Sequence, residues 1–331
     1  MLYYVSVNWN WNLNWPRNDN GVVTRNLKVK TNLRGSMEKQ VKSVITRINA
    51  SNCLDLSISI DKVIYRLSPY TTGKELITYL ENKKIEYNKS RLKNAYCISV
   101  GKFYFLYLHN TKEIIAKLVT NPNDFDSYSD YTKFYNQVCS GLKLKLEPCR
   151  VDVALDMNKD FKWLNKRISI GRKRTLTRYV LDGCKEQTRY FGKAPNELTL
   201  YDRGEKSKKL KGCRLESRKS GASQIASKSL DSLEKELVSS SFNPFENVEI
   251  IDFKLKKFSE LGKNLKLILK LEQIKTLLPH NGYFYTRKYF NKNRNFKRDF
   301  KSFVKEVSNT NLGDLYLPLM KSYLGHGGSD D

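Results

Sequence analysis

Three stretches of this chain set charged or hydroxylic side chains at every second position. They are Arg150, Asp152 and Asp156; Thr199 and Tyr201; and Arg214, Glu216 and Arg218. Between these stand Val151, Val153, Leu198, Leu200 and Leu215. A period of two is the spacing of a β-strand with one face in the core, so the polar residues of all three stretches are expected on one sheet face. Together they are suitable parts for attack on a phosphodiester. Asp152 and Glu216 are hard oxygen ligands of the kind that hold Mg2+ or Mn2+. Arg214 can neutralise the phosphate, and the Tyr201 oxygen can act as nucleophile. A tyrosine phosphoester keeps the energy of the broken bond, which allows the strand to be rejoined. The same spacing also describes a ladder of salt bridges on a solvated sheet face. With 20 tyrosines in the chain, residue types alone leave both readings open.

These side chains need elements to position them. If Leu198 to Asp202 and Cys213 to Arg218 pair around the basic loop 203–212, Tyr201 falls beside Arg214 and diagonal to Glu216. A central strand from Leu142 to Asp156 is expected to turn Cys149, Val151, Val153 and Leu155 one way and Arg150, Asp152, Ala154 and Asp156 the other. Alternation predicts further strands over 5–15 and 27–33 as a hairpin, and over 54–65, 96–108 and 113–119. Thr72-x-x-Glu75 is a capping box, opening a helix that runs to about Tyr87. Helices are also predicted over 37–48, 128–139 and 224–237. After a break at 242–247 the chain reads as mostly helical, including a helix from about Asn293 with Phe296, Phe300, Phe303 and Val307 as its apolar stripe. Strands grouped before residue 240 and helices after it predict an α+β fold. Its mainly antiparallel central sheet carries the active site, with flanking helices and a mostly helical, basic C-terminal region. The chain then divides into 1–140, an N-terminal α+β part of the core; 141–240, the catalytic sheet region; and 241–331, a helical DNA-binding region.

The composition narrows the partner. In 331 residues, 60 Lys and Arg face 34 Asp and Glu, a formal net charge of +26. Such a surplus in a chain rich in Tyr and Phe predicts a polyanion, nucleic acid ahead of an anionic membrane surface. Residues 283–301 interleave aromatic rings with Arg287, Lys288, Lys292, Arg294, Lys297, Arg298 and Lys301, a pattern that can grip phosphates. Lys206, Lys208, Lys209 and Lys211 can hold DNA beside Tyr201, and Arg150 and Arg218 can do so on the sheet. Six dispersed cysteines (Cys53, Cys97, Cys139, Cys149, Cys184 and Cys213) contain no C-x-x-C pair, so they read as reduced core residues. No run approaches the roughly 20 apolar residues of a membrane span, and the first residues lack the build of a secretion signal. A cytoplasmic protein with no membrane partner is expected.

Four blocks carry a resemblance. Arg150-Val-Asp152-Val-Ala-Leu-Asp156, Gln187-Thr-Arg-Tyr-Phe-Gly192, Leu198-Thr-Leu-Tyr201-Asp-Arg and Cys213-Arg-Leu-Glu216 resemble, in order and spacing, the replication initiation factor family. That family includes the Rep_trans rolling-circle initiators of small Gram-positive plasmids, and the filamentous-phage gene II proteins show a weaker similar pattern. The stretch covers about residues 146–220. The resemblance implies a sequence-specific origin-binding nickase and religase. Tyr201 would become linked to the 5′ phosphate, Arg214 would assist, and Asp152 and Glu216 would be ligands of Mg2+ or Mn2+. Glu205, which would serve as ligand or base, falls four positions after Tyr201 where the family usually has an acidic residue at five. Asp156 lies about 13 Å along the strand from Asp152, too far to share an ion without a bulge. His109, His280 and His326 do not form the paired histidines of the other large class of tyrosine nickases, in keeping with a carboxylate site. The implied partners are double-stranded origin DNA and single-stranded DNA, with a host helicase, a polymerase and a second copy of the chain beyond them. A conjugative relaxase and a non-catalytic DNA- or RNA-binding protein are the alternatives.

Overall fold

The computed structural model describes residues 54–92, 95–108, 114–140, 145–171, 177–182, 185–193, 195–203, 212–292 and 300–325. The hairpin expected over 5–33 and the helix over 37–48 lie outside these residues.

In chain order the elements are β1 (Leu56–Thr72), α1 (Gly73–Asn82), β2 (Asn88–Leu92), β3 (Ala95–Val100), β4 (Phe103–Leu108), β5 (Ile114–Thr120) and α2 (Tyr128–Ser140). Next come β6 (Lys145–Met157), α3 (Phe161–Arg167), β7 (Ile168–Ile170), β8 (Thr177–Asp182), β9 (Lys185–Lys193), β10 (Asn196–Asp202) and β11 (Cys213–Ser220). The chain ends with α4 (Leu230–Leu237), β12 (Val248–Leu255), α5 (Leu265–Lys292), β13 (Val304–Asn311) and α6 (Leu312–Leu324). Ten strands form one sheet in the order β2-β3-β4-β5-β1-β6-β11-β10-β9-β8, and β13-β12-β7 form a second. Every neighbouring pair is antiparallel. The fold is α+β, as expected.

Alternation decides which side of the large sheet is dry. Ile60, Val63, Val151, Val153, Leu155, Leu198, Leu200 and Leu215 are buried in one cluster with Leu76 and Leu80 of α1, Tyr131 and Tyr135 of α2, Leu233 and Leu237 of α4, and Leu315 and Tyr316 of α6. Burial of this apolar surface stabilises the fold by roughly 25 cal/mol per Å². The residues between them face the other way and make the polar face.

Two bulges break the alternation in the middle of the sheet. Ile60 pairs with Val153 but Lys62 pairs with Asp152, so Asp61 is an extra residue in β1. Both Asp61 and Lys62 are thereby turned to the polar face, while Val63 stays opposite Val151 in the core. In β6 the extra residue is Cys149, between Arg150 opposite Ile64 and Pro148 opposite Tyr65. This corrects the expectation that Cys149 shares the face of Val151.

Several boundaries also differ from expectation. The capping box at Thr72 and Glu75 is formed, but its helix stops at Asn82. Residues 96–108 make two strands around a turn in which Gly101 has φ 55°. The helix expected over 224–237 starts only at Leu230, after the Ser229 cap. Helices hold most of the region after 240, yet two strands, β12 and β13, interrupt it. The helix predicted from Asn293 is not continued: Phe300–Ser302 is a single 3-10 turn and Val304–Asn311 is a strand. Phe300 and Phe303 are core residues, but Val307 is exposed. Among the described residues no helix is long and apolar enough to cross a membrane. Cys97, Cys139, Cys149 and Cys213 are free thiols; Cys53 and Cys184 lie outside the described residues.

Candidate active site on the polar face

The register places the chemistry-bearing side chains together. Tyr201 pairs with Arg214, Thr199 with Glu216 and Glu197 with Arg218 across β10 and β11. Across β11 and β6, Arg214 pairs with Asp156, Glu216 with Ala154 and Arg218 with Asp152. Tyr201 is therefore beside Arg214 and diagonal to Glu216, the geometry expected of the hairpin. Its hydroxyl donates to Glu216 Oε2 at 3.2 Å.

The hairpin closes on a position that only glycine fits. Gly212 has φ 92°, and a Cβ there would run into the Met157 carbonyl of β6. Its own carbonyl accepts from Arg203 N at 3.0 Å, fixing the base of the loop next to Tyr201.

Four arginines and five carboxylates form one web around the tyrosine. Arg150 grips both oxygens of Asp152, with Nε and Nη2 at 2.7 and 2.6 Å. Arg218 donates from Nε to Glu216 Oε1 at 2.7 Å and from Nη1 to Glu197 at 3.0 Å. Arg214 donates two bonds to Asp156, at 2.7 and 2.8 Å, and a third to Asp61. Arg203 reaches Asp156 at 3.0 Å. The Asp61 contact exists because of the bulge in β1.

Burial separates this arrangement from a solvated ladder. The side chains of Asp152 and Glu216 are 0% and 4% exposed, whereas those of Arg150 and Arg218 are 25% and 32% exposed. The arginines are the outer layer and the carboxylates the inner one. Removing several ion pairs from water costs more than a hydrophobic replacement would, so such a web is weak evidence for stability and better evidence for use. Burial holds the Asp152 carboxyl above its usual range against the pull of Arg150. Burial, and then the Glu216 carboxylate, raise the Tyr201 phenol far above its ordinary value, while Arg214 draws it down. The resting tyrosine is protonated.

Asp152 and Glu216 are close enough to interact, but Arg150 takes both oxygens of Asp152 and Arg218 takes one oxygen of Glu216. Among the described residues no group of three or more metal-ligating side chains converges. This resting donor set does not fit Mg2+ or Mn2+. Glu205, Lys206, Lys208, Lys209 and Lys211 lie outside the described residues, as do Arg294, Lys297 and Arg298. Arg287, Lys288 and Lys292 stand on α5 and Lys301 on the turn after it. Arg287 lies 3.8 Å from Glu306 of β13.

Sequence reasoning missed Asp61, Glu197 and Arg203 as members of the web. Glu197 was within reach, since it continues the alternation of Thr199 and Tyr201. Asp61 was marked only by the break in alternation at Asp61-Lys62, between Ile60 and Val63, which does not say which residue the sheet accommodates as extra.

No protein-family model matches the chain, and no curated protein does. Among solved structures it is similar to a rolling circle replication initiator protein from Geobacillus stearothermophilus. The TM-score is 0.31 and the identity 13%, over 50% of this chain and 75% of that one.

Proposed function

We propose that this protein is a rolling-circle replication initiator that nicks and rejoins one DNA strand through Tyr201. The observation that carries the reading is the buried Tyr201 hydroxyl, bonded to Glu216 beneath a layer of arginines. The four sequence blocks that resemble the replication initiation factor family converge on the same reading.

The residues divide the work as follows. An incoming phosphodiester meets the guanidinium groups first, because they are the exposed layer. Arg218 or Arg150 can exchange a carboxylate for the phosphate, since a guanidinium fork suits either anion. When Arg218 leaves, Glu216 loses the cation that lowered its basicity and becomes a better proton acceptor. Tyr201 Oη then attacks phosphorus as Glu216 takes its proton. The bond from phosphorus to the 3′ oxygen breaks, and the proton passes to that oxygen, leaving a 3′ hydroxyl and a 5′ phosphotyrosine. The reverse sequence rejoins the strand. Arg214, held by Asp156 and Asp61, is the cation nearest the phenolate as it forms.

The test is a supercoiled plasmid carrying the DNA that flanks the protein's own coding sequence. Wild-type protein is expected to nick it and to remain attached to the 5′ end, and Tyr201→Phe to do neither. Wild-type-like nicking by Tyr201→Phe would remove the tyrosine from the mechanism. Binding without nicking by the wild type would leave a non-catalytic DNA-binding protein. Repeating the assay in EDTA and with Mg2+ or Mn2+ restored reads whether an ion is required.

A further inference from the structure

The polar face continues past the web onto β1 and β5, and there its charges are not balanced. Arg66 of β1 lies directly opposite Lys117 of β5. Like charges opposite one another in an antiparallel pair are destabilising. Both residues are exposed, and neither makes an ion pair among the described residues. Glu147, on the other side of Arg66 in β6, lies 3.7 Å from Lys145.

A third cation converges on the same spot. The bulge in β6 turns Cys149 toward the polar face beside Arg150. Burial raises that thiol above its usual value, and the positive charges of Lys117, Arg66 and Arg150 pull it back down. Next to them Val119, Leu106 and Cys97 form a small buried cluster, and packed on it Ile64 and the ring of Tyr104 are the partly exposed apolar surface. Cations around apolar and aromatic surface suit a strand of unpaired nucleotides, whose phosphates need charge and whose bases need contact.

We propose that Arg66 and Lys117, with Tyr104 and Ile64 beside them, hold single-stranded DNA that runs along the polar face from the nicking centre. The choice of occupant rests on the nickase reading. Along the β1–β6 ladder the row of Arg66 lies eight paired steps from that of Tyr201 and Asp156, about 26 Å at roughly 3.3 Å per step. This subsite therefore meets only a strand long enough to span that distance.

The experiment compares wild type with Arg66→Gln, Lys117→Gln and the double variant. Single-stranded oligonucleotides of roughly 4 and about 16 nucleotides, and a duplex, are titrated by fluorescence anisotropy over a range of salt. On the longer strand the double variant is expected to lower the slope of log K against log salt by about 1.4, two phosphates' worth for single-stranded DNA. On the short strand it is expected to change nothing. The melting temperature is expected to hold or rise, since a repulsion has been removed. An unchanged slope on the longer strand overturns the proposal, and so does a loss confined to the duplex. Adduct formation on the short strand reads the nicking chemistry separately. If no adduct forms with any DNA, the nickase reading falls while the salt slopes still decide whether this surface binds single strands.

Discussion

Glu216 makes two contacts that pull in opposite directions. Arg218 on one oxygen stabilises it as an anion, and on the proposed mechanism the Tyr201 hydroxyl on the other needs it as a base. Glu216→Gln keeps the shape and removes only the second capacity. Nicking is expected to fall by a factor of about 10² to 10⁴, the usual worth of a positioned general base. Far-ultraviolet circular dichroism should stay at the wild-type level, because Arg218 retains Glu197. Near-wild-type adduct formation by this variant would show that the proton goes elsewhere.

At the scale of elements, the sheet is joined to α3 and α5 by one buried cation. Arg189 of β9, on the core side of the sheet, donates to the carbonyl and side-chain oxygens of Asn165 in α3 and to the Asn281 carbonyl in α5. Its guanidinium also lies over the Phe191 ring, 4.6 Å from the centroid. α5 breaks at the same place: Pro279 removes a donor, its carbonyl accepts from Asn165, and Gly282 takes φ 69°. A Cβ on Gly282 would come within 2.9 Å of the Asn165 carbonyl. Gly282→Ala is expected to cost about 1–3 kcal/mol. Arg189→Met, which strands those carbonyls, should also lower the urea midpoint. Both losses should appear without a change in the polar-face residues. How far the sequence showed these elements follows from their periodicity. β10, β11 and the part of β6 from Arg150 onward were legible because each alternates over a buried face, and pairing β10 with β11 as a hairpin put Tyr201 beside Arg214. β13 was not: it is an edge strand paired only with β12, and Lys305, Glu306 and Val307 are exposed in succession. Backbone hydrogen bonds make it a strand, and they leave no side-chain pattern. Arg189 was visible only as part of a motif, since a buried arginine reads as a surface one until its partners are known.

Over the whole molecule, the charge of +26 and the neutralised web perform different tasks. The surplus gathers polyanions from a distance, and its effect fades with salt. The web is shielded by burial, and on the proposed mechanism a phosphodiester must displace its arginines to reach Tyr201. The many buried tyrosines add a second global property. Burial raises Tyr65, Tyr128, Tyr131, Tyr135, Tyr201, Tyr316 and Tyr323 in the folded state. The unfolded chain releases those protons near pH 10, while the folded one keeps them. These groups leave stability unaffected below that pH and reduce it above, by up to about 1.4 kcal/mol per pH unit for each tyrosine. The thiols of Cys97, Cys139 and Cys213, also raised by burial, add the same effect from about pH 8.5. Urea midpoints should therefore decline from about pH 8.5 and fall more steeply toward pH 11. A flat profile through pH 11 would contradict the burial of this group.

The doubled position in β1 also has a genetic meaning. Losing the codon for Asp61 or for Lys62 would let β1 and β6 run in regular register, with Ile60 and Val63 still turned to the core. Losing the codon for Ile60 would instead bring Asp61 opposite Val153, on the core face. The strand can therefore change length at one point without misfolding, and that point adjoins Arg214. Insertions and deletions could remodel the polar face there while leaving the hydrophobic face intact.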